Sequence, residues 1–220
     1  TVQAGAQVDT DLFAIEHLVD NPPDKWLAEA LKSGAKLGYD PWLHTADGAD
    51  RLRKVCAEVG AELVPADGNP IDAIWQDRPA PPAGRVMLRD IRLSGESAAD
   101  KIKRIHTELD KLRTDALVVS DPQNVAWAFN IRGSDIAHTP LALAFALIPR
   151  GGKPSLYIDA AKLDNATRHA LEAVAAVRAP DELARDLGQL KGKTVRLDQA
   201  SAAETIATLI TKSGGKPVRG

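Results

Sequence analysis

A single cysteine, a single methionine and an aromatic fraction of 4% set the first limits on this 220-residue chain. Cys56 alone cannot close an intrachain disulfide, and cysteine-rich zinc frameworks are excluded. No basic block stands out from the 28 Lys and Arg and the 30 Asp and Glu. A net charge of −2 therefore offers neither a nucleic-acid groove nor a patch for an anionic membrane. The longest uninterrupted apolar run, residues 141–148, is far too short to span a bilayer and suits a buried strand. HExxH, an EF-hand loop, a Walker-type glycine loop and a G-x-S-x-G elbow are all missing, which removes the enzyme classes built on them. No signal or transit peptide is visible, and the expected location is the cytoplasm. The chain starts at Thr1 and its methionine is Met87, so the numbering is not expected to begin at a translation start.

What is present is ordinary globular composition, 44% hydrophobic and 26% charged. Cys56 falls on a helical stripe with Leu52, Val55 and Val59, which reads as a small buried hydrophobe rather than a reactive thiol. A stiff proline-rich stretch, DRPAPPAG at 77–84, divides the chain into expected domains 1–83 and 84–220. Each side repeats one order of parts. Pro-Asp, at 23–24 and 180–181, opens an amphipathic helix. A glycine, a short strand ending near Asp40 or Asp198, a second helix, another glycine and another short strand follow. Gly60 and Gly214 are placed as left-handed ends of the second helices. Ser201-Ala-Ala-Glu204 fits a capping box, and Ser97-Ala-Ala-Asp100 caps a helix with Ile102, Ile105, Leu109 and Leu112 on one face. Strands are expected at 116–120, 141–148 and 155–159, with Gly151-Gly152 as a hairpin turn. The first lobe lacks counterparts for most of these. It is expected to be truncated, and the chain to be a fragment.

Chemistry concentrates in NIRGSDIAHTP, residues 130–140, between two of the most apolar segments. Asp135 and His138 supply two ligand types, but neither they nor His17, His44, His106 and His169 have the neighbours that would complete a metal site. Ser134, Asp135 and His138 have the side-chain types of a catalytic triad, yet residues this close on one loop rarely converge with triad geometry. A scaffold reading is equally available. Asp121-Pro122 opens a helix, Gly133 ends it, and Arg132 covers its last carbonyls. Residue chemistry alone does not choose between a binding loop and a polar turn.

Several stretches together resemble aminopeptidase P, the Xaa-Pro aminopeptidases of the long three-domain form. They are VDTDLFAIEHLVDNPPDKWL, LGYDPWLHT, LVPADGNPIDAIWQDRP, SGESAADKIKRI and NVAWAFNIRGSDIAHTP, in family order across nearly the whole chain. The NPID-IW-DRP and W--N-RGSD----P patterns are the more specific. The resemblance implies an α/β fold of two related creatinase/prolidase N-terminal-type lobes, each a mixed sheet flanked by helices, the first one truncated. A pita-bread catalytic domain is expected after Gly220. That domain would hold two divalent metal ions, usually manganese, on two Asp, one His and two Glu, and would remove an N-terminal residue preceding proline. No residue here corresponds to those ligands, so no catalytic or metal-binding residue is assigned and the chain alone is expected to be inactive.

The family's N-terminal region narrows access to the active site and supports a homodimer. Its implied partners are its own catalytic domain and short peptides with penultimate proline, with no nucleic acid and no membrane. Arg132, Asp135 and His138 are the substrate-binding or interface candidates: Arg132 for a carboxylate, Asp135 for an amino group or for holding Arg132, His138 for the same network. The alternatives are a creatinase-like binding or chaperone module without peptidase activity, and a self-contained hydrolase using Ser134 and His138.

Overall fold

A computed structural model describes residues 2–220. They form two compact units. The first takes in the chain up to Asp40 together with Asp47–Asn69, and the second Pro41–Ala46 together with Pro70–Gly220. The first contains helices α1 (Val2–Gln7) and α2 (Pro23–Ala30), strand β1 (Lys36–Tyr39), most of helix α3 (Ala46–Glu58) and strand β2 (Glu62–Pro65). Strands β1 and β2 pair in parallel, Lys36 opposite Glu62 and Tyr39 opposite Pro65. Cys56 is buried on α3, as its stripe predicts.

In the second unit come α4 (Pro70–Ile74), β3 (Met87–Leu88), α5 (Ile91–Ser94), α6 (Ala98–Lys111), β4 (Ala116–Val119), α7 (Pro122–Phe129) and β5 (Ile131–Arg132). Then follow β6 (Phe145–Pro149), β7 (Ser155–Tyr157), a 3-10 turn (Ala160–Lys162), α8 (Asn165–Val174), β8 (Ala176–Arg178), α9 (Glu182–Leu187), β9 (Thr194–Leu197), α10 (Glu204–Lys212) and β10 (Lys216–Arg219). Six strands make a mixed sheet in the order β10-β9-β4-β6-β7-β8. Alternation along the strands sends side chains to two cores, since successive residues of a strand face opposite ways. On one face Val119, Ile148, Leu156 and Ile158 pack with Ile102 of α6, Phe129 of α7 and Leu171 of α8. On the other, Val118, Tyr157, Val195 and Leu197 pack with Leu183 and Leu187 of α9 and Ile206 and Ile210 of α10. The α/β architecture expected from the sequence, a mixed sheet flanked by helices, is what is found.

The repeated order of parts is matched bond for bond. Gly34 N–H donates to Gly60 O (2.7 Å) and Gly192 N–H to Gly214 O (3.0 Å). Ala61 N–H to Cys56 O (2.7 Å) has its counterpart in Gly215 N–H to Ile210 O (3.0 Å), and Ala66 N–H to Tyr39 O in Gly220 N–H to Leu197 O, both 2.8 Å. Gly60 and Gly214 are left-handed, as predicted.

Three local expectations change. Ser201 forms no capping box, because its Oγ donates to Asp198 Oδ2 (2.7 Å) and α10 begins only at Glu204, whose N–H donates to His44 O (2.9 Å). Residues 141–144 are not strand: Leu141, Ala142 and Ala144 are buried, but their backbone serves the preceding loop, and pairing with β4 starts at Ala146. Helix α7 ends at Asn130, left-handed at φ 51, and not at Gly133. Asn adopts the left-handed conformation more readily than most residues, and here its side chain is held by Lys101 and by Glu96 O, both distant in sequence.

Candidate functional site

The Asp121 carboxylate accepts from Gln123 N–H (3.0 Å) and Pro122 supplies the first helical φ, so α7 starts as its sequence dictates. Its C-terminal end is held by two cations. Lys101, on α6 and 2% exposed, donates through Nζ to Trp127 O (2.9 Å) and Asn130 Oδ1 (2.6 Å). Arg132 Nη1 donates to Ile131 O (2.7 Å) and Ala126 O (3.4 Å). Ala126 O and Trp127 O also accept the Asn130 N–H, so each cation adds a second donor there, and both charges lie at the negative pole of the helix dipole. Asn130 Nδ2 reaches Glu96 O (2.8 Å), which ties the cap to the start of α6. Burial holds the Lys101 amine below its ordinary range; the Glu96 carboxylate opposes this, while Arg132 and Arg104 add to it. The Lys101 ammonium also lies 4.6 Å from the centre of the Trp127 ring.

Asp135 is the centre of a clasp. Oδ2 accepts from Lys162 Nζ (2.6 Å) and Leu143 N–H (2.7 Å), and Oδ1 accepts from Gly84 N–H (2.9 Å). The two side chains of the ion pair are 0% and 5% exposed. The pair draws residues 84–89 along the loop. Val86 N–H donates to Lys162 O (2.9 Å), Met87 and Leu88 pair with Arg132 and Ile131, and Arg89 N–H donates to Asn130 O (2.6 Å). Gly133 is needed for close approach, since a Cβ there would stand 2.7 Å from both Cβ and N of Ala142.

The three candidates are therefore placed differently. Arg132 is half-buried; Nη1 is used on carbonyls, and no carboxylate lies within ion-pair distance among the described residues. Asp135 is paired with Lys162 rather than with Arg132. His138 is exposed, at φ 60, with no side-chain hydrogen bond among the described residues. Lys101 and Lys162 escaped sequence reasoning. Lys101 stands four and eight residues before Ile105 and Leu109, a cation on an apolar stripe, which is the one signal that could have exposed it. Among the described residues, no three His, Cys, Asp or Glu gather as a metal-ligand group. The described residues do not fit a two-metal centre.

Residues 77–219 match the creatinase/prolidase N-terminal domain family. The chain belongs to that family. Curated relatives named probable Xaa-Pro aminopeptidase P share this creatinase-type sequence. The protein from Fusarium vanettenii is 36% identical over 175 residues, covering 78% of this chain and 28% of its own. The one from Aspergillus fumigatus is 37% identical over 164 residues, covering 73% and 25%. The chain thus spans about a quarter of the length of these relatives. The crystal structure of X-prolyl aminopeptidase from Caenorhabditis elegans, described as a cytosolic enzyme with a di-nuclear active site, superimposes with a TM-score of 0.85 at 25% identity. It covers all of this creatinase-type chain and 37% of the nematode protein. No helix among the described residues is long and apolar enough to cross a membrane.

Proposed function

We propose that this chain is the non-catalytic N-terminal region of a cytoplasmic, metal-dependent Xaa-Pro aminopeptidase, one that removes an N-terminal residue preceding proline. The observation that carries the reading is the likeness of the entire chain to the nematode X-prolyl aminopeptidase. On this reading two divalent metal ions, manganese by preference, belong to a separate catalytic domain and supply an activated water there. The region narrows access to short peptides and supports a homodimer. Arg132 keeps Nε and Nη2 for a carboxylate of substrate or protein, His138 stands exposed on the same loop, and Asp135 acts by holding the loop through Lys162.

The test is to assay the full-length gene product and the 220-residue chain on tripeptides with penultimate proline, with and without added Mn²⁺. Release by the full-length protein alone, abolished by chelation, is expected. Full-length protein that folds but releases nothing under any metal would favour the binding or chaperone module instead. Release by the 220-residue chain would revive the self-contained hydrolase. In the full-length protein Arg132→Ala is expected to lower kcat/KM about tenfold, a barrier change of ~1.4 kcal/mol, with the unfolding midpoint little changed. Unaltered kinetics removes the role of that residue.

A further inference from the structure

A groove opens on the second unit at the carboxyl ends of β4 and β9. One cavity of about 250 Å³ is walled by Val119, Ala128 and Trp127, with Asp121 and Asp198 on its rim. A second, of about 340 Å³, runs over α6 along Leu109 and Leu112 to Arg196 of β9. Ile105, Leu117 and Gly220 line both, so the two are continuous, with Gly220 at their junction. The lining is mainly apolar, and Leu112 and Trp127 remain 49% and 45% exposed. Strands β4, β9 and β10 are parallel neighbours, and parallel strands are normally covered on both faces. Here α9 and α10 cover one face, and the groove marks where the other is open.

The internal repeat shows how the chain turns after this point. The two modules correspond bond for bond as far as Gly220, the counterpart of Ala66. Three residues after Ala66, in the first unit, Asn69 Nδ2 donates to Asp40 Oδ2 (2.9 Å), at the end of β1. Asp198 holds the place of Asp40 at the end of β9. Its oxygens accept from Ala200 N–H (3.0 Å) and Ser201 Oγ (2.7 Å), and each can take one more donor. We propose that the groove is the seat of the polypeptide segment following Gly220. Within its first residues a side-chain donor reaches Asp198, as Asn69 reaches Asp40, and apolar side chains then lie on Leu117, Leu112 and Trp127. The proposal rests on the functional reading above in one respect, that the polypeptide continues as it does in relatives about four times as long.

Thiol reactivity tests it, because Cys56 is buried and contributes little background. Leu112→Cys and Asn124→Cys are each placed in the 220-residue chain and in the full-length gene product, with His169→Cys on exposed α8 as reference. Circular dichroism selects folded samples. Both groove thiols are expected to react at least tenfold more slowly in the full-length protein, with the reference unchanged. Adding Asp198→Ala should restore labelling at Asn124→Cys several-fold. Equal rates in the two chains overturn the proposal. So does protection of the 220-residue chain by an added tripeptide with penultimate proline, which would make the groove a peptide site. The peptidase assay on the same full-length samples keeps the two readings apart. Protected thiols without activity sink the functional reading alone, and activity with unprotected thiols sinks the groove proposal alone.

Discussion

The two units carry the same helix–strand–helix–strand module with very different support. In the second, β9 is flanked by β10 and β4, and the module's helices bury Leu183, Leu187, Ile206 and Ile210. In the first, β1 has β2 alone as partner, α2 buries no residue, and of the eight strand residues only Tyr39 is buried. Backbone hydrogen bonds are nearly identical in the two. The module's local conformation therefore needs only its glycines and short-range bonds, whereas the depth of its core depends on what lies beside it. Apolar area removed from water is the dominant stabilising term, so the second copy should be the firmer. Amide hydrogen exchange checks this directly, with β9 and β10 expected to exchange more slowly than β1 and β2.

The largest effect should come from removing what the second unit has and the first lacks. Asp135→Ala leaves Lys162 buried and unpaired and orphans two backbone donors, and should cost about 3–5 kcal/mol in urea unfolding. Pairing Asp135→Leu with Lys162→Met should recover the part due to the buried unpaired charge, while the N–H groups of Gly84 and Leu143 stay without their acceptor. A double variant as unstable as the single one would show that the backbone bonds to Gly84 and Leu143, and not the ion pair, hold the strap. Next come the matched positions Ile210 and Cys56, whose carbonyls make equivalent bonds. Ile210→Ala should cost about 2–5 kcal/mol and Cys56→Ala about 1 kcal/mol, and equal losses would break the contrast in core depth. Gly133→Ala should cost about 1–3 kcal/mol through overpacking against Ala142, with only partial recovery when Ala142→Gly is added, because the Ala142 backbone nitrogen stands as close as its Cβ.

The smallest effect concerns acid. Asp164 caps α8 through Thr167 N–H (2.7 Å) and pairs with Arg85, and these contacts lower its carboxyl from the ordinary 3.8 to about 2, the Thr167 bonds being the larger cause. A lowered folded pKa means that the unfolded chain binds the proton more readily. The stabilisation is then complete above about pH 4 and is lost as pH falls toward 2. Thermal scans over that window should show a steeper decline for the native chain than for Asp164→Asn.

Much was open to reading in the chain. Asp121-Pro122, Ser97 and the paired glycines fixed where helices start and turn, because those signals act over three or four residues. The apolar runs at 116–119 and 145–148 were legible as strands. The capping box at Ser201 failed because a carboxylate three residues earlier captured its hydroxyl, a competition that spacing does not reveal. NIRGSDIAHTP was legible as special but not in its division of labour. Its Asp135 answers to Lys162, 27 residues on, and its Asn130 to Lys101, 29 residues back.

By itself, then, the sequence determined the periodicities, the caps, the duplicated module and the family patterns, all of which are local or repeat in order. Only the tertiary structure decided which charges are buried, which cation covers which carbonyl, and that the polar loop at 130–140 is a clasp for residues 84–89. The reason is physical. A buried ion pair and a glycine at van der Waals contact depend on distances between segments far apart in the chain, and those distances exist only once both faces of the sheet are packed.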